Sequence, residues 1–314
     1  MAIDNKNYAI EINGLRKIYN YKKPNAFEAL KGINLNIPKQ SIFGLLGANG
    51  AGKSTLINII AGLVKKTEGK VKVWGNDIET DERNAKLSIG VVPQELILDP
   101  FFTPRETLKY QSGYYGVPKK ENCVEEILET VGLSDKADAY PRSLSGGMRR
   151  RLMIGKAMVH RPPILILDEP TAGVDVALRQ SLWKEVKKLN EAGVTIILTT
   201  HYLEEAEAMC DTLAIVNKGE IVAEGQTNEM LSKLDKKELI ILLEDEDASN
   251  IKLEGVDIEI LNKSLLRIAF KPSIINEGEI IEKIYTSGSK IKSINSKEPD
   301  LEELYLELTN NDVS

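Results

Sequence analysis

Cysteine and histidine are scarce in this 314-residue chain, which contains two residues of each type. Cys123 and Cys210 lie far apart in the sequence, and neither belongs to a CxxC or Cys/His spacing. The sequence therefore predicts neither a disulfide framework nor a zinc site, and it favours a reducing compartment.

Positive charge is not in excess, because 41 lysines and arginines stand against 47 aspartates and glutamates, for a net charge of -6. A protein without excess positive charge has no overall electrostatic attraction for a nucleic-acid backbone, so we expect no nucleic-acid partner. Long apolar runs are missing too: none approaches the ~18 residues of a membrane span, and the first residues lack the apolar core of a signal peptide. We expect a protein that is soluble by itself.

Charge is distributed unevenly along the chain. Residues 1–225 carry 30 basic and 28 acidic groups, whereas residues 226–314 carry 11 basic and 19 acidic groups. This shift predicts a boundary near Gly225 between a large first domain, 1–225, and a C-terminal accessory domain, 226–314.

Short apolar runs alternate with helical patterns in the first domain, which is typical of an α/β protein. Runs that are apolar on both faces predict buried central strands, and they lie at 41–46, 164–167 and 195–200. An alternating segment at 69–75 predicts a half-exposed strand that ends in a turn.

Helix signals lie mainly between these strands. Thr103, Pro104 and Glu106 form a capping-box start, and residues 119–131 predict a further helix closed by Gly132. The C-terminal domain has the pattern of a small α+β unit, with strands at 239–243, 265–270 and 291–294 and helices at 275–285 and 301–308.

A glycine-rich phosphate loop follows the first apolar strand directly. The segment is Gly47, Ala48, Asn49, Gly50, Ala51, Gly52, Lys53, Ser54 and Thr55, which matches G-x-x-x-x-G-K-[ST] between a strand and an apolar-periodic helix. Such a loop turns successive backbone N–H groups toward an anion, and the helix N-terminus adds partial positive charge. We expect Lys53 to reach the β- and γ-phosphates and Ser54 to supply a hydroxyl ligand for Mg²⁺.

Two adjacent carboxylates end the second central strand. In a P-loop enzyme an aspartate at such a strand end holds Mg²⁺, a role we assign to Asp168, which leaves Glu169 as general base for the attacking water. His201 follows the third central strand at the same sheet edge, where α/β proteins bind ligands, so we expect it near the γ-phosphate or the lytic water. The alternatives are a solvated Asp-Glu pair and a structural histidine.

Further motifs appear in a recognisable order: Gln94, then Leu144-Ser145-Gly146-Gly147-Met148, then Ala172-Gly173-Val174-Asp175. Together with the phosphate loop, Asp168 and His201, they resemble the ATPase subunit of an ATP-binding cassette (ABC) transporter over residues 8–225. The resemblance implies a P-loop NTPase cassette with a helical subdomain at about 95–160, followed by the small α+β domain, and it implies ATP and Mg²⁺ as cofactors.

The resemblance also implies roles for single residues. ATP would lie between two head-to-tail copies, with Ser145, Gly146 and Gly147 acting in trans. Gln94 would touch Mg²⁺ and the lytic water, and Asp175 would organise the dimer interface. Tyr19 matches the aromatic residue that stacks on adenine, although Tyr21 is close enough to leave the choice open.

Two positions depart from the common pattern of the family: Met148 stands where many members have glutamine, and Val174 stands where leucine is usual. The methionine form followed by the arginines at 149–151 resembles exporter subunits that pair with a separately encoded permease. We expect such a permease to dock on the helical subdomain and to hold the protein at the inner face of the cell membrane. Phe101 and Phe102 are candidate docking residues or core residues, and a solvated face is the simplest interpretation of each arginine.

An alternative function is that of a non-transport cassette ATPase acting on ribosomes or DNA. Those relatives carry two cassettes in one chain or a long coiled coil, and this sequence has one cassette and no long heptad region. A P-loop kinase or GTPase switch explains neither Gln94 nor residues 144–148, the signature segment of the resemblance.

Overall fold

The computed structural model describes residues 7–95, 97–172, 174, 176–244, 253 and 255–310. The chain divides into two compact units, Met1–Gln226 and Thr227–Ser314. This division lies one residue after the position at which the charge composition changes.

The first unit contains ten strands and seven α-helices among its described residues. They are β1 (Tyr8–Tyr19), β2 (Phe27–Pro38), β3 (Ile42–Leu46), α1 (Lys53–Ile60), β4 (Glu68–Val73), β5 (Asn76–Asp77), α2 (Glu82–Leu87), β6 (Ile89–Val92), α3 (Pro104–Tyr114), α4 (Val124–Thr130), α5 (Gly146–Met158), β7 (Ile164–Asp168), α6 (Val176–Glu191), β8 (Thr195–Thr200), α7 (Leu203–Met209), β9 (Thr212–Asn217) and β10 (Glu220–Gln226).

A six-stranded sheet with the order β10-β9-β3-β8-β7-β6 forms the centre of this unit. All neighbouring pairs are parallel except β10 with β9. Every residue of β3 and β8 is buried, which confirms the predicted central strands. Because β3, β8, β7 and β6 are adjacent and parallel, the segments that follow them meet at one sheet edge.

A second, antiparallel sheet has the order β2-β1-β4-β5. Its apolar side chains share one buried cluster with α1 and the central sheet, so the main core lies between the two sheets. The predicted strand at 69–75 is confirmed as β4, and the turn after it begins at Trp74, whose φ is 51°. The other strands of this sheet, β1, β2 and β5, were not predicted from the sequence.

The helical section contains one confirmed helix start and one wrong prediction. Thr103 caps α3 with the full capping box, as its sequence indicated. The helix predicted over 119–131 is instead a 3₁₀ turn at Lys119–Glu121 followed by α4. Asn122 separates them, because it is extended and its side chain accepts the Val124 N–H at 2.8 Å, which starts a new helix.

The second unit is a four-stranded antiparallel sheet, packed on one face against a helix. Its elements are α8 (Thr227–Ser232), β11 (Lys237–Leu243), β12 (Val256–Asn262), β13 (Leu265–Phe270), α9 (Glu277–Thr286), β14 (Ile291–Lys297) and α10 (Leu301–Asn310), with strand order β12-β13-β11-β14. Ile280 and Ile284 of α9 share a buried cluster with alternate residues of β11 and β13. The three predicted strands and two helices are confirmed, and β12 is an additional strand.

No helix within the described ranges is long and apolar enough to cross a membrane.

Candidate functional site

The phosphate loop joins β3 to α1 and depends on its glycines. Gly47 has a φ of 151°, and a Cβ added there would lie 2.3 Å from the carbonyl oxygen of Val216. Gly52 caps α1 with a φ of 115°, a conformation that L side chains rarely adopt. These two positions exclude larger residues, and the loop thereby brings its main chain around the start of α1.

Lys53, the first residue of α1, lies inside the curve of this loop. Its side chain is only 6% exposed, and its Nζ donates to the carbonyl oxygens of Gly47 at 2.6 Å and Ala48 at 3.1 Å. Burial lowers the pKa of Lys53, and the charges of Glu169 and Asp168 oppose that shift. The lysine is therefore held in the loop beside the two carboxylates.

Asp168 and Glu169 stand at the end of β7, where Thr199 of the neighbouring strand β8 contacts the Asp168 carboxylate and the Glu169 main chain. The Thr199 hydroxyl donates to Oδ1 of Asp168 at 2.5 Å and accepts the backbone N–H of Glu169 at 3.0 Å. Glu169 has a φ of 43°, which is strained for a residue with a Cβ. Backbone strain of this kind persists only where surrounding contacts enforce it, and here Thr199 supplies them.

Two predicted site residues converge on one atom of a third, Oε2 of Glu169. The Gln94 Nε2 donates to it at 3.1 Å, and Nδ1 of His201 lies 3.4 Å from it. Gln94 follows β6 and His201 follows β8, the two neighbours of β7. The parallel strands thus bring together an amide, a carboxylate and an imidazole beside the phosphate loop.

The signature residues lie at the start of α5. Ser145 caps the helix by accepting the N–H of Met148 at 3.3 Å, Gly146 is exposed and Gly147 is buried. In the part of the chain that the structure describes, no hydrogen bond or ion pair joins these three residues to the phosphate loop, Glu169 or His201.

Of the two candidate tyrosines, Tyr19 contacts the phosphate-loop helix. Its hydroxyl lies 3.5 Å from Oγ1 of Thr55, and the Lys17 ammonium lies 4.7 Å from its ring centroid. Tyr21 is more exposed, at 54% against 36%. Asp175, expected at the dimer interface, lies outside the described residues, as does Gly173.

Arg150 is a site-linked residue that the sequence analysis missed. We expected a solvated face for each arginine at 149–151, which is correct for Arg149 but wrong for Arg150, of which only 5% is exposed. Its Nη1 donates to the carbonyl oxygens of Pro93 and Gln94, each at 3.1 Å, and burial lowers its pKa. The signature helix therefore holds the main chain at Gln94. Arg151 is also engaged, donating to Val131 and Gly132.

Replacing Arg150 with methionine is expected to lower the free energy of unfolding by about 1–3 kcal/mol, because two partly buried carbonyl groups lose a charged donor. Urea unfolding followed by circular dichroism measures the change. The control is Arg149→Met on the exposed side of the same turn, which should change stability by less than about 0.5 kcal/mol. Equal losses in the two variants would contradict a specific role for the Arg150 contacts.

Comparison with known proteins identifies the family of this chain. Residues 30–172 match the protein family described as "ABC transporter". The chain is 35% identical over 309 residues to the linearmycin resistance ATP-binding protein LnrL of Bacillus subtilis (strain 168), covering 96% of this chain and 98% of that protein. It is 34% identical over 310 residues to the Nod factor export ATP-binding protein I of Rhizobium etli, covering 97% and 94%.

The fold has matching solved structures. One is the ATP-binding cassette MJ0796, described as a dimer in a post-hydrolysis state with bound ADP and Pi, with a TM-score of 0.61 and 28% identity over 69% of this chain and 98% of that chain. The fold is therefore that of a P-loop NTPase cassette with an added α+β unit. The chain belongs to the ABC transporter family, as one of its ATP-binding, ATP-hydrolysing subunits.

Proposed function

We propose that this subunit hydrolyses MgATP between two head-to-tail cassettes and thereby energises export through a separately encoded membrane permease. The observation that carries the proposal is the convergence of Gln94 and His201 on the Glu169 carboxylate, beside the buried Lys53. The names of the relatives, which refer to linearmycin resistance and to Nod factor export, support export as the direction.

Glu169 is the general base in this proposal. Its Oε2 accepts the proton of the attacking water, while Gln94 and His201 orient that water and the γ-phosphate. Lys53 neutralises charge on the β- and γ-phosphates, together with the backbone N–H groups of residues 47–55. Tyr19 stacks on the adenine, a role supported by its contact with Thr55.

The residues proposed for Mg²⁺ are Ser54, Gln94 and Asp168. They offer a hydroxyl, an amide oxygen and a carboxylate, which are oxygen donors of the type that Mg²⁺ prefers. Among the described residues, no group of three or more His, Cys, Asp or Glu side chains could hold a metal ion by itself. This donor set suits an ion held in part by substrate phosphates and water, and the ion supplies neutralisation of phosphate charge.

Dimerisation would complete the site. Gly146 and the Ser145 cap are exposed at the N-terminus of the 13-residue helix α5, where backbone N–H groups and the helix dipole favour an anion. The dimeric state of the related cassette MJ0796 supports a second copy, or a similar subunit, as the partner. The Ser145, Gly146 and Gly147 segment would then contact ATP held by the opposite copy, with Asp175 at the interface.

A groove on the first unit is the proposed docking site for the permease. It is about 540 Å³ in volume and lies between α1, β6 and the helical section, with Leu63, Ile97, Tyr115 and Met153 among its lining. Leu63 and Ile97 are 71% and 66% exposed, so apolar side chains face solvent at its rim.

Phe101 is 77% exposed and is therefore no core residue, whereas Phe102 contacts Tyr110. Docking here would hold the subunit on the cytoplasmic face of the membrane.

The docking proposal predicts that Ile97→Glu weakens co-purification with the permease at least tenfold, because a carboxylate would enter an apolar contact. The matched control is Tyr140→Glu, an equally exposed apolar position outside the groove lining, which should leave co-purification unchanged. The assay co-expresses each variant with the permease, identified as the polytopic membrane protein that co-purifies with the unsubstituted chain, and compares the amount of the variant that is retained. Basal ATP hydrolysis of the isolated subunit should be equal in both variants, and equal co-purification would contradict this docking site.

A further inference from the structure

A buried carboxylate lies close to the site without touching the residues proposed for the reaction. Glu205 of α7 is only 6% exposed. The Thr171 hydroxyl donates to its Oε2 at 2.6 Å, and Nε of Arg179, on α6, lies 3.0 Å from its Oε1. The Arg179 contact is an ion pair rather than an aligned hydrogen bond. A buried carboxylate needs such partners, because an unpaired charge in the interior is costly.

Thr171, the first partner of Glu205, connects it to Glu169. Thr171 is two residues beyond Glu169, only 1% exposed, and lies in the segment that leaves the end of β7. Pairing between strands ends at Asp168, which is opposite Thr199. Beyond that point the course of the chain depends on contacts such as the one between Thr171 and Glu205.

Arg179, the second partner of Glu205, connects it to His201 through Tyr202. The Arg179 guanidinium carbon lies 5.4 Å from the centroid of the Tyr202 ring. That ring is 4.1 Å from the His201 imidazole, at an interplanar angle of 37°. Glu205 itself is four residues after His201, on the helix that begins at Leu203.

Glu205 therefore joins two segments that are 34 residues apart in sequence and that carry the proposed base and its imidazole neighbour. The distance of 3.4 Å between Nδ1 of His201 and Oε2 of Glu169 joins residues that lie on two different loops. A displacement of about 1 Å between reacting groups can cost on the order of 10²-fold in rate. Because Glu205 contacts the segment after Glu169 through Thr171 and also pairs with Arg179, it restricts displacements of Glu169 relative to His201.

We propose that Glu205, through Thr171 and Arg179, is a positioning residue for ATP hydrolysis that sets Glu169 and His201 relative to each other. This inference rests on the roles of Glu169 and His201 in the proposed function. It assigns to Glu205 and Thr171 an effect on kcat and none on the binding of ATP, because among the described residues no hydrogen bond or ion pair joins either of them to the phosphate loop.

The test uses steady-state ATP hydrolysis and equilibrium ATP binding by the full-length protein. Glu205→Gln removes the charge and keeps the shape, and we expect kcat to fall about 10- to 100-fold while the Kd for ATP stays within about twofold. Glu204→Gln is the matched control, because Glu204 is the exposed neighbour on the same helix, and its kcat should be that of the unsubstituted protein.

A pair of substitutions at Thr171 tests the same contact from the other side. Thr171→Val deletes the hydroxyl with little change of shape and should lower kcat, whereas Thr171→Ser keeps the hydroxyl and should restore most of it. A structural role alone would lower the unfolding midpoint of Thr171→Val without lowering kcat at a temperature where the variant is folded. These variants also decide the question if Glu205→Gln does not fold.

The inference is overturned if Glu205→Gln and Thr171→Val keep normal kcat, or if both weaken ATP binding instead. Its failure is distinct from failure of the proposed function. If Glu169→Gln abolishes turnover while Glu205→Gln is normal, only the positioning role is wrong. If Glu169→Gln turns over normally, the assignment of Glu169 as base is wrong.

Discussion

Replacing Glu169 with glutamine is expected to reduce ATP hydrolysis by about 10²- to 10⁴-fold and to leave ATP binding intact. The amide retains the shape of the side chain and can still accept from the Gln94 amide through its carbonyl oxygen, but it cannot take the water proton. Since hydrolysis releases the proposed head-to-tail dimer, the variant should remain dimeric with MgATP. Phosphate release and size-exclusion chromatography with MgATP measure the two effects.

Glu95→Gln provides the control for this experiment. Glu95 is an exposed carboxylate immediately after Gln94, so its replacement changes charge near the same sheet edge without changing the proposed base. Its turnover should match that of the unsubstituted protein. Near-normal turnover by Glu169→Gln would remove Glu169 from the role of general base.

Lys53→Ala is expected to act on binding, with the Kd for ATP rising roughly 10- to 100-fold. A hydrogen bond to a charged group contributes about 1.5–3 kcal/mol, and each 1.4 kcal/mol corresponds to a factor of ten in Kd. The loop carbonyls of Gly47 and Ala48 also lose their donor, which removes support from the conformation that binds phosphate. Isothermal titration with ATP and Mg²⁺ measures the change.

The control for Lys53→Ala is Lys65→Ala, which removes an exposed lysine just beyond α1. It should leave ATP affinity unaltered, because an exposed, screened charge outside the loop contributes little. An unchanged ATP affinity in Lys53→Ala itself would count against the assignment of this loop as the nucleotide site.

The central part of the site could be predicted from the sequence because it depends on local patterns. Runs apolar on both faces identified β3, β7 and β8, and the chemistry-bearing residues follow these strands directly. Parallel strands align their carboxyl ends, so the approach of His201 to Glu169 follows from the strand assignment once β7 and β8 are neighbours. Gln94 was identified by resemblance, and its contact with Glu169 follows from the pairing of β6 with β7.

The missed features depend on tertiary contacts or on side-chain competition for the backbone. Three consecutive arginines give no indication of which one is buried, because that depends on the strand packed against α5. The contact between Thr171 and Glu205 joins residues 34 positions apart. At 119–131 the helical pattern was outweighed by the Asn122 side chain, which bonds to the main chain and starts the helix later.

The contacts of Arg150 are made to main-chain carbonyl groups and to no side chain of the Gln94 segment. A guanidinium that donates to peptide oxygens keeps its hydrogen bonds whichever side chains those residues carry. The side chains at positions 93 and 94 are therefore free to change during evolution without loss of these hydrogen bonds, provided that the arginine is retained and the backbone keeps its course. Correlated substitutions between position 150 and positions 93–94 would therefore be weak, even though two hydrogen bonds join these positions.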